Sequence, residues 1–64
     1  MYKAIKRERE KIGMTTEEAA KICGLSEKIY MEREEGRGKM DFRVRHLYAL
    51  ADAFQVEPAD LLDF

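Results

Sequence analysis

Apolar residues recur at helical spacing in five short segments of the 64-residue chain. Because β-branched residues are few and scattered, no segment shows the alternating pattern of a strand. The segment boundaries fall at glycines and at the stretch that ends on the single proline: Gly13, Gly24, Gly36, Gly38 and residues 55–58. The pattern predicts an all-α fold, and the length allows one domain spanning residues 1–64.

The first segment, residues 2–12, combines an apolar stripe with one arginine. The stripe consists of Tyr2, Ile5, Arg9 and Ile12. A charged side chain on an apolar stripe needs a partner, so we expect Arg9 to contact an acidic residue elsewhere in the fold.

The second segment has the clearest capping signal. Thr15 can cap the helix through its hydroxyl, and Glu18, three residues later, can complete a capping box. The predicted inner face consists of Ala19, Ala20, Ile22 and Cys23. Gly24 ends this helix, and Ser26 follows almost at once as the N-cap of a third helix.

The fourth segment is the most apolar, and Asp41 is its predicted N-cap. Its helically spaced apolar residues are Val44, Leu47, Tyr48, Leu50, Ala51 and Phe54. A fifth, short helix is expected after Pro58, with Leu61, Leu62 and Phe64 at an apolar end.

Composition narrows the class of protein. The single cysteine, Cys23, excludes a disulfide scaffold and most zinc sites, and no other feature suggests a metal, a cofactor or an enzyme motif. No apolar run is long enough to span a membrane, and the charged N-terminus lacks a signal-peptide core. We therefore expect a soluble cytoplasmic protein without enzymatic activity. His46 has no second histidine and no second cysteine to join it in a metal site, so we expect it to face solvent or phosphate on the fourth helix.

Small residues allow the second and third helices to approach closely. Ala20 lies four residues before the turn glycine, Gly24, and apolar residues lie one before, one after and six after that glycine. This spacing resembles the helix-turn-helix of DNA-binding proteins. The segments GMTTEEAAKICGLS, EEG and LYALADAFQVEPADLL extend the resemblance to the phage repressor, Cro and Xre family over about residues 5–62.

This resemblance implies a compact five-helix, lambda-repressor-like DNA-binding domain with a central helix-turn-helix. The third helix would enter the major groove of double-stranded DNA, with these residues toward the bases: Glu27, Lys28, Met31 and Glu32. Phosphate contacts would come from Thr16, Ser26, Arg37, Lys39, Arg43 and Arg45. The simpler alternative for Glu27, Lys28 and Glu32 is that they form an ordinary solvated helix face and do not contact bases.

The resemblance also implies a structural ion pair between Arg9 and Glu34, the alternative being two solvated surface charges. Arg33 stands where the family has an apolar residue, and we expect its stem to cover the core while its charged head reaches solvent.

Two functions fit these features. The first is a sequence-specific transcription regulator, a repressor that binds an operator as a homodimer, with Leu61, Leu62 and Phe64 as the dimer contact. The alternative is a protein-interaction module that binds a protein partner through its acidic helices. The net charge of −1 hides strong segregation: residues 15–35 carry six acidic and three basic side chains, whereas residues 36–46 carry four basic and one acidic. The acidic stretch, residues 15–35, favours a protein partner, and the basic stretch, residues 36–46, favours DNA.

Overall fold

The computed structural model describes residues 3–62, and these residues form four α-helices and no strand. The helices are α1 (Lys3–Lys11), α2 (Thr16–Cys23), α3 (Glu27–Glu35) and α4 (Val44–Phe54). The all-helical prediction is confirmed for this part of the chain. Tyr2 and Phe64, assigned above to an apolar stripe and a dimer contact, lie outside the described residues.

The fifth predicted helix is a single 3-10 turn, Pro58–Leu61. The amides of Asp60 and Leu62 donate to the carbonyls of Glu57 and Ala59 at 2.9 and 3.2 Å, and both bonds span three residues. Pro58 lies in the first turn, where its missing amide hydrogen costs no helical bond, and the segment is only four residues long, so it forms one tight turn.

The predicted caps of α2 and α3 are confirmed. The Thr15 hydroxyl accepts from the Glu18 amide at 3.1 Å, and the Glu18 carboxylate accepts from the Thr15 amide at 2.9 Å. The Ser26 hydroxyl accepts from the Ile29 amide at 3.2 Å. Gly24, between the two helices, has φ 73°, a left-handed conformation that glycine adopts without steric cost. These local signals therefore fix the short connection between α2 and α3.

The predicted Asp41 cap of α4 is wrong. Asp41 accepts from the adjacent Phe42 amide at 2.8 Å, and the helix begins three residues after Asp41, at Val44. Its N-cap is Arg43, whose amide donates to Nδ1 of His46 at 3.0 Å. The imidazole therefore performs the role that a capping-box carboxylate usually performs.

One core lies among all the elements, where α2 packs against α3 and α4, and the 3-10 turn packs against α1 and α4. Its buried hydrophobic residues are Ala4, Ile5, Ala19, Ala20, Cys23, Tyr30, Phe42, Leu47, Leu50, Ala51, Phe54 and Leu61. Four of these twelve residues are alanines, whose small side chains allow helices to approach closely. No helix within residues 3–62 is long and apolar enough to cross a membrane.

Some apolar positions predicted to be internal face solvent. Ile12 and Ile22 are exposed, and Val44 and Tyr48 are 66% and 59% exposed. The buried face of α4 is centred on Leu50. Val44 and Tyr48 lie one turn apart, on the side of the helix that the neighbouring elements do not cover.

Candidate nucleic-acid interface

The exposed face of α3 carries a groove of about 310 Å³, which we call the α3 groove. It is lined by residues predicted above to contact DNA: Glu27, Lys28, Met31, Glu32 and Arg37. Glu27 and Lys28 are exposed, whereas Met31 is half-buried and packs against the core. Four predicted base-facing residues and one predicted phosphate contact therefore meet at one place on the surface.

Thr16 and Glu27 contact each other directly. The Thr16 hydroxyl donates to Oε2 of Glu27 at 2.6 Å, which joins the first residue of α2 to the first residue of α3. A predicted phosphate contact is thus bonded to a predicted base contact. Ser26, the third predicted residue in this region, is exposed and caps α3 with its hydroxyl.

The loop after α3 carries two exposed cations, of which Arg37 lines the α3 groove. Arg37 and Lys39 are exposed, and Nη2 of Arg37 lies 2.7 Å from Oε1 of Glu35. The chain passes close to α3 here, because a Cβ built on Gly38 would lie 3.6 Å from Oε1 of Glu32. A phosphate reaching Arg37 therefore competes with an exposed carboxylate, and exposed pairs of this kind are weak.

The remaining predicted phosphate contacts lie at the start of α4. Arg43 and Arg45 are exposed, but neither lines the α3 groove. Their charges nevertheless act on the neighbouring His46, whose pKa is lowered first by burial and then by nearby arginines, Arg45 foremost. They add positive charge to a second part of the surface.

Arg9 and Glu34 form a buried bidentate ion pair that joins α1 to α3. Nε and Nη2 of Arg9 donate to the two carboxylate oxygens at 3.0 and 3.1 Å, and Nη1 donates to the Met14 carbonyl at 2.9 Å. The Tyr30 hydroxyl donates to the same carboxylate at 2.6 Å. Bonding to Glu34 raises the pKa of Arg9, and burial followed by the same carboxylate raises the pKa of Tyr30. This network fixes the tilt of α3 against α1.

Two predicted surface side chains are buried instead. His46 is 2% exposed, and Arg33 is 9% exposed with its Nε and Nη1 atoms inaccessible to solvent. The expectation that His46 faces solvent or phosphate is wrong because the imidazole folds back to accept the Arg43 amide. The expectation for the charged head of Arg33 is wrong for two of its three nitrogens, Nε and Nη1, which are buried. The spacing of His46 three residues after the N-cap is the one sequence signal that could have indicated its role.

Leu61 is wrong as a dimer contact. It is fully buried within the protomer, against α1 and α4, so a partner subunit cannot reach it. Leu62, the next residue, is 47% exposed and remains available. Phe64 lies outside the described residues.

The described residues show no reactive cysteine and no metal site. Burial raises the pKa of the Cys23 thiol to about 11, so the thiol is protonated and unreactive at neutral pH. Within residues 3–62, no group of His, Cys, Asp and Glu side chains is arranged to hold a metal ion.

Comparison with known proteins adds one positive finding. A family model described as helix-turn-helix matches residues 5–61, which cover all four α-helices except the first two residues of α1, together with the 3-10 turn. A search of curated proteins returned no match. The match includes the capped α2–α3 pair, the α3 groove and the loop with Arg37. The chain belongs to the Cro/C1-type, Xre-like helix-turn-helix family of DNA-binding transcription regulators.

Proposed function

We propose that the protein is a sequence-specific transcription regulator without catalytic activity, acting as a repressor when it occupies an operator. The observation that carries this proposal is the α3 groove, where the exposed face of the second helix of a helix-turn-helix presents charged side chains to solvent. In such motifs the second helix enters the major groove. Side chains on that face are then within reach of base edges.

The residues proposed to contact DNA can form different kinds of contact. Lys28 can donate to guanine O6 and N7, whereas Glu32 can accept from cytosine N4. Arg37 and Lys39 supply the charge that neutralises phosphates, joined by Arg43 and Arg45 at the start of α4. Thr16 and Ser26, at the starts of α2 and α3, are the remaining proposed backbone contacts.

We further propose that the protein binds DNA as a homodimer. Two copies place their recognition helices in successive major grooves when the half-sites lie about 34 to 36 Å apart. The Cα extent of the protomer reaches 26 Å, so two adjacent copies suffice to span that distance. The exposed Leu62 is the described apolar residue near the C-terminal end that can contribute to the contact.

A selection of bound duplexes from a random DNA pool tests this function. The wild-type protein should enrich a symmetric motif with two half-sites. The double variant Lys28→Ala/Glu32→Gln should enrich a different motif, while Asp52→Asn, which alters an exposed residue on α4 outside the groove, should enrich the wild-type motif. Failure of the wild-type protein to enrich any sequence would contradict the proposal.

A second candidate is a protein-interaction module that uses the same fold. It is favoured by the acidic charge of α2 and α3, since Glu17 and Glu27 lie in the first turns of these helices and Glu32 lines the groove. Carboxylates repel phosphates and suit a basic protein partner. If the protein has this function, the selection should enrich no DNA motif, and Glu27→Gln should weaken binding of the basic protein partner.

A further inference from the structure

Two arginines of this domain are buried to the same degree but differ in their partners. Arg9 is 8% exposed and donates three hydrogen bonds, whereas Arg33 is 9% exposed and its Nε and Nη1 atoms have no partner within residues 3–62. Each of those two nitrogens has less than 1 Å² of accessible area. A buried guanidinium whose donors are unused is unfavourable, so this site favours an acceptor.

The nearby carboxylates do not supply that acceptor. Glu34 is bonded to Arg9 and Tyr30, and Glu35 is paired with Arg37. Glu32 lines the same cavity as Arg33, and Asp41 lines a neighbouring pocket with it, but neither carboxylate is bonded to the buried Nε or Nη1 of Arg33. The described carboxylates near Arg33 thus either have other partners or are not bonded to its two buried nitrogens.

A cavity of about 240 Å³ lies beside Arg33, between the last turns of α3 and the following loop. Its charged lining consists of Arg33, Arg37, Lys39 and the single carboxylate of Glu32. Ile29 and Met40 provide an apolar wall. Three cations against one anion favour a negatively charged ligand, and the volume exceeds that of a single phosphate group.

We propose that this cavity binds a phosphate-type oxyanion with Arg33 as its anchor. The planar guanidinium fork matches two oxygens of such a group, and Arg37 and Lys39 supply further charge. The two sealed nitrogens become available when the guanidinium turns toward the cavity that its side chain already lines. Gly38, at φ 86°, lies in the covering loop and leaves the space next to Glu32 free of a side chain.

The oxyanion has two possible sources. It belongs either to a small phosphorylated molecule or to the DNA backbone, and the second source rests on the proposed function. Both sources present a phosphate group, so inorganic phosphate serves as the probe for either. Because the probe is tested without DNA, failure of the proposed function leaves this test intact.

Thermal unfolding in phosphate and in chloride at equal ionic strength tests the site. At about ten times the dissociation constant, bound phosphate should raise the melting temperature of the wild-type protein by roughly 5 to 10 °C and then saturate. Arg33→Met should lose the saturable rise, while Arg7→Met, which removes an exposed arginine outside both the cavity and the proposed DNA face, should keep it. Phosphate also stabilises proteins by exclusion from their surface, which adds a non-saturating rise common to all variants. An equal rise in both variants, or none beyond that background, would overturn the site.

Amide chemical shifts of the wild-type protein provide a test that needs no folded variant. Phosphate should cause saturable shifts concentrated between Arg33 and Met40, and small shifts spread over all basic segments would overturn the proposal. Displacement of a labelled duplex by phosphate then identifies the source. Displacement that requires Arg33 supports a backbone phosphate, and saturation without displacement supports a small molecule.

Discussion

Thr16 and Glu27 join the two helices of the helix-turn-helix through a hydrogen bond of 2.6 Å on the proposed DNA face. The carboxylate lies at the start of α3 and contacts the start of α2, where helix N-termini favour anions. Glu27 therefore places a negative charge in the region where the proposed function requires a phosphate. We infer that this contact orders the two helices and at the same time weakens binding to arbitrary DNA.

Glu27→Gln should increase affinity for random-sequence DNA. Removing one charge about 4 Å from a phosphate relieves about 1 kcal/mol of repulsion in water, which is about fivefold in affinity. Fluorescence anisotropy at fixed salt measures the change, with Asp52→Asn as the control that removes an exposed charge from α4. Equal effects of the two variants would show that Glu27 does not face DNA.

Arg9→Ala should destabilise the fold strongly. The substitution leaves Glu34 buried without its bidentate partner, at an expected cost of about 3 to 5 kcal/mol in the free energy of unfolding. Arg7→Ala is the matched control, because Arg7 is exposed and its pair with Glu8, at 3.4 Å, lies on the surface. Urea denaturation of both variants checks the difference, and similar midpoints would contradict a structural role for the buried pair.

Lowering the pH should destabilise the domain through His46. Burial lowers its folded-state pKa below the usual 6.5, and neutral Nδ1 is required to accept the Arg43 amide. The contribution is therefore complete above about pH 6.5 and is lost as the pH falls through the folded-state pKa, with a slope of up to about 1.4 kcal/mol per pH unit.

His46→Asn isolates this effect, since the amide oxygen can accept the same bond and does not titrate. Unfolding free energies between pH 7 and pH 5 should fall more steeply for the wild-type protein than for the variant. Parallel curves would show that the imidazole does not control stability in this window. The carboxylate of Glu18, whose pKa is lowered by its bonds to Thr15, titrates below this range.

Local signals in the sequence predicted the helix-turn-helix well, because its caps depend on a few residues. Thr15 with Glu18, and Ser26 after Gly24, determine where α2 and α3 begin. The start of α4 was not predictable in the same way, since an imidazole rather than Asp41 satisfies the first amide. Helical spacing also does not indicate how wide a face of α4 the neighbouring elements cover. The exposure of Tyr48 was therefore not predictable from the sequence.

The candidate site was predictable in part. The grouping of Glu27, Lys28, Met31 and Glu32 follows from their places on one helix, and the loop adds Arg37. The bond between Thr16 and Glu27 and the burial of Arg33 were not predictable, because both depend on how the elements pack.

Leu62→Glu should convert the proposed dimer into monomers. Leu62 is 47% exposed, so the charge does not disturb the core of the protomer, but it would be unfavourable in an apolar interface. Light scattering at micromolar concentration should give a lower mass than for the wild-type protein, with circular dichroism unchanged. Tyr48→Glu, at another exposed apolar position, should keep the wild-type mass. Equal masses for Leu62→Glu and the wild-type protein would rule out this contact.

The salt dependence of DNA binding tests the central claim most directly. Dissociation constants for the duplex selected from the random pool should be measured between about 50 and 200 mM salt for the wild-type protein, Arg37→Ala and Lys39→Ala. A DNA-binding regulator predicts a steep log-log slope for the wild-type protein, and each substitution should reduce the slope by roughly one unit because each removes one phosphate contact. Absence of binding, or binding whose slope is unchanged in both variants, would contradict the account.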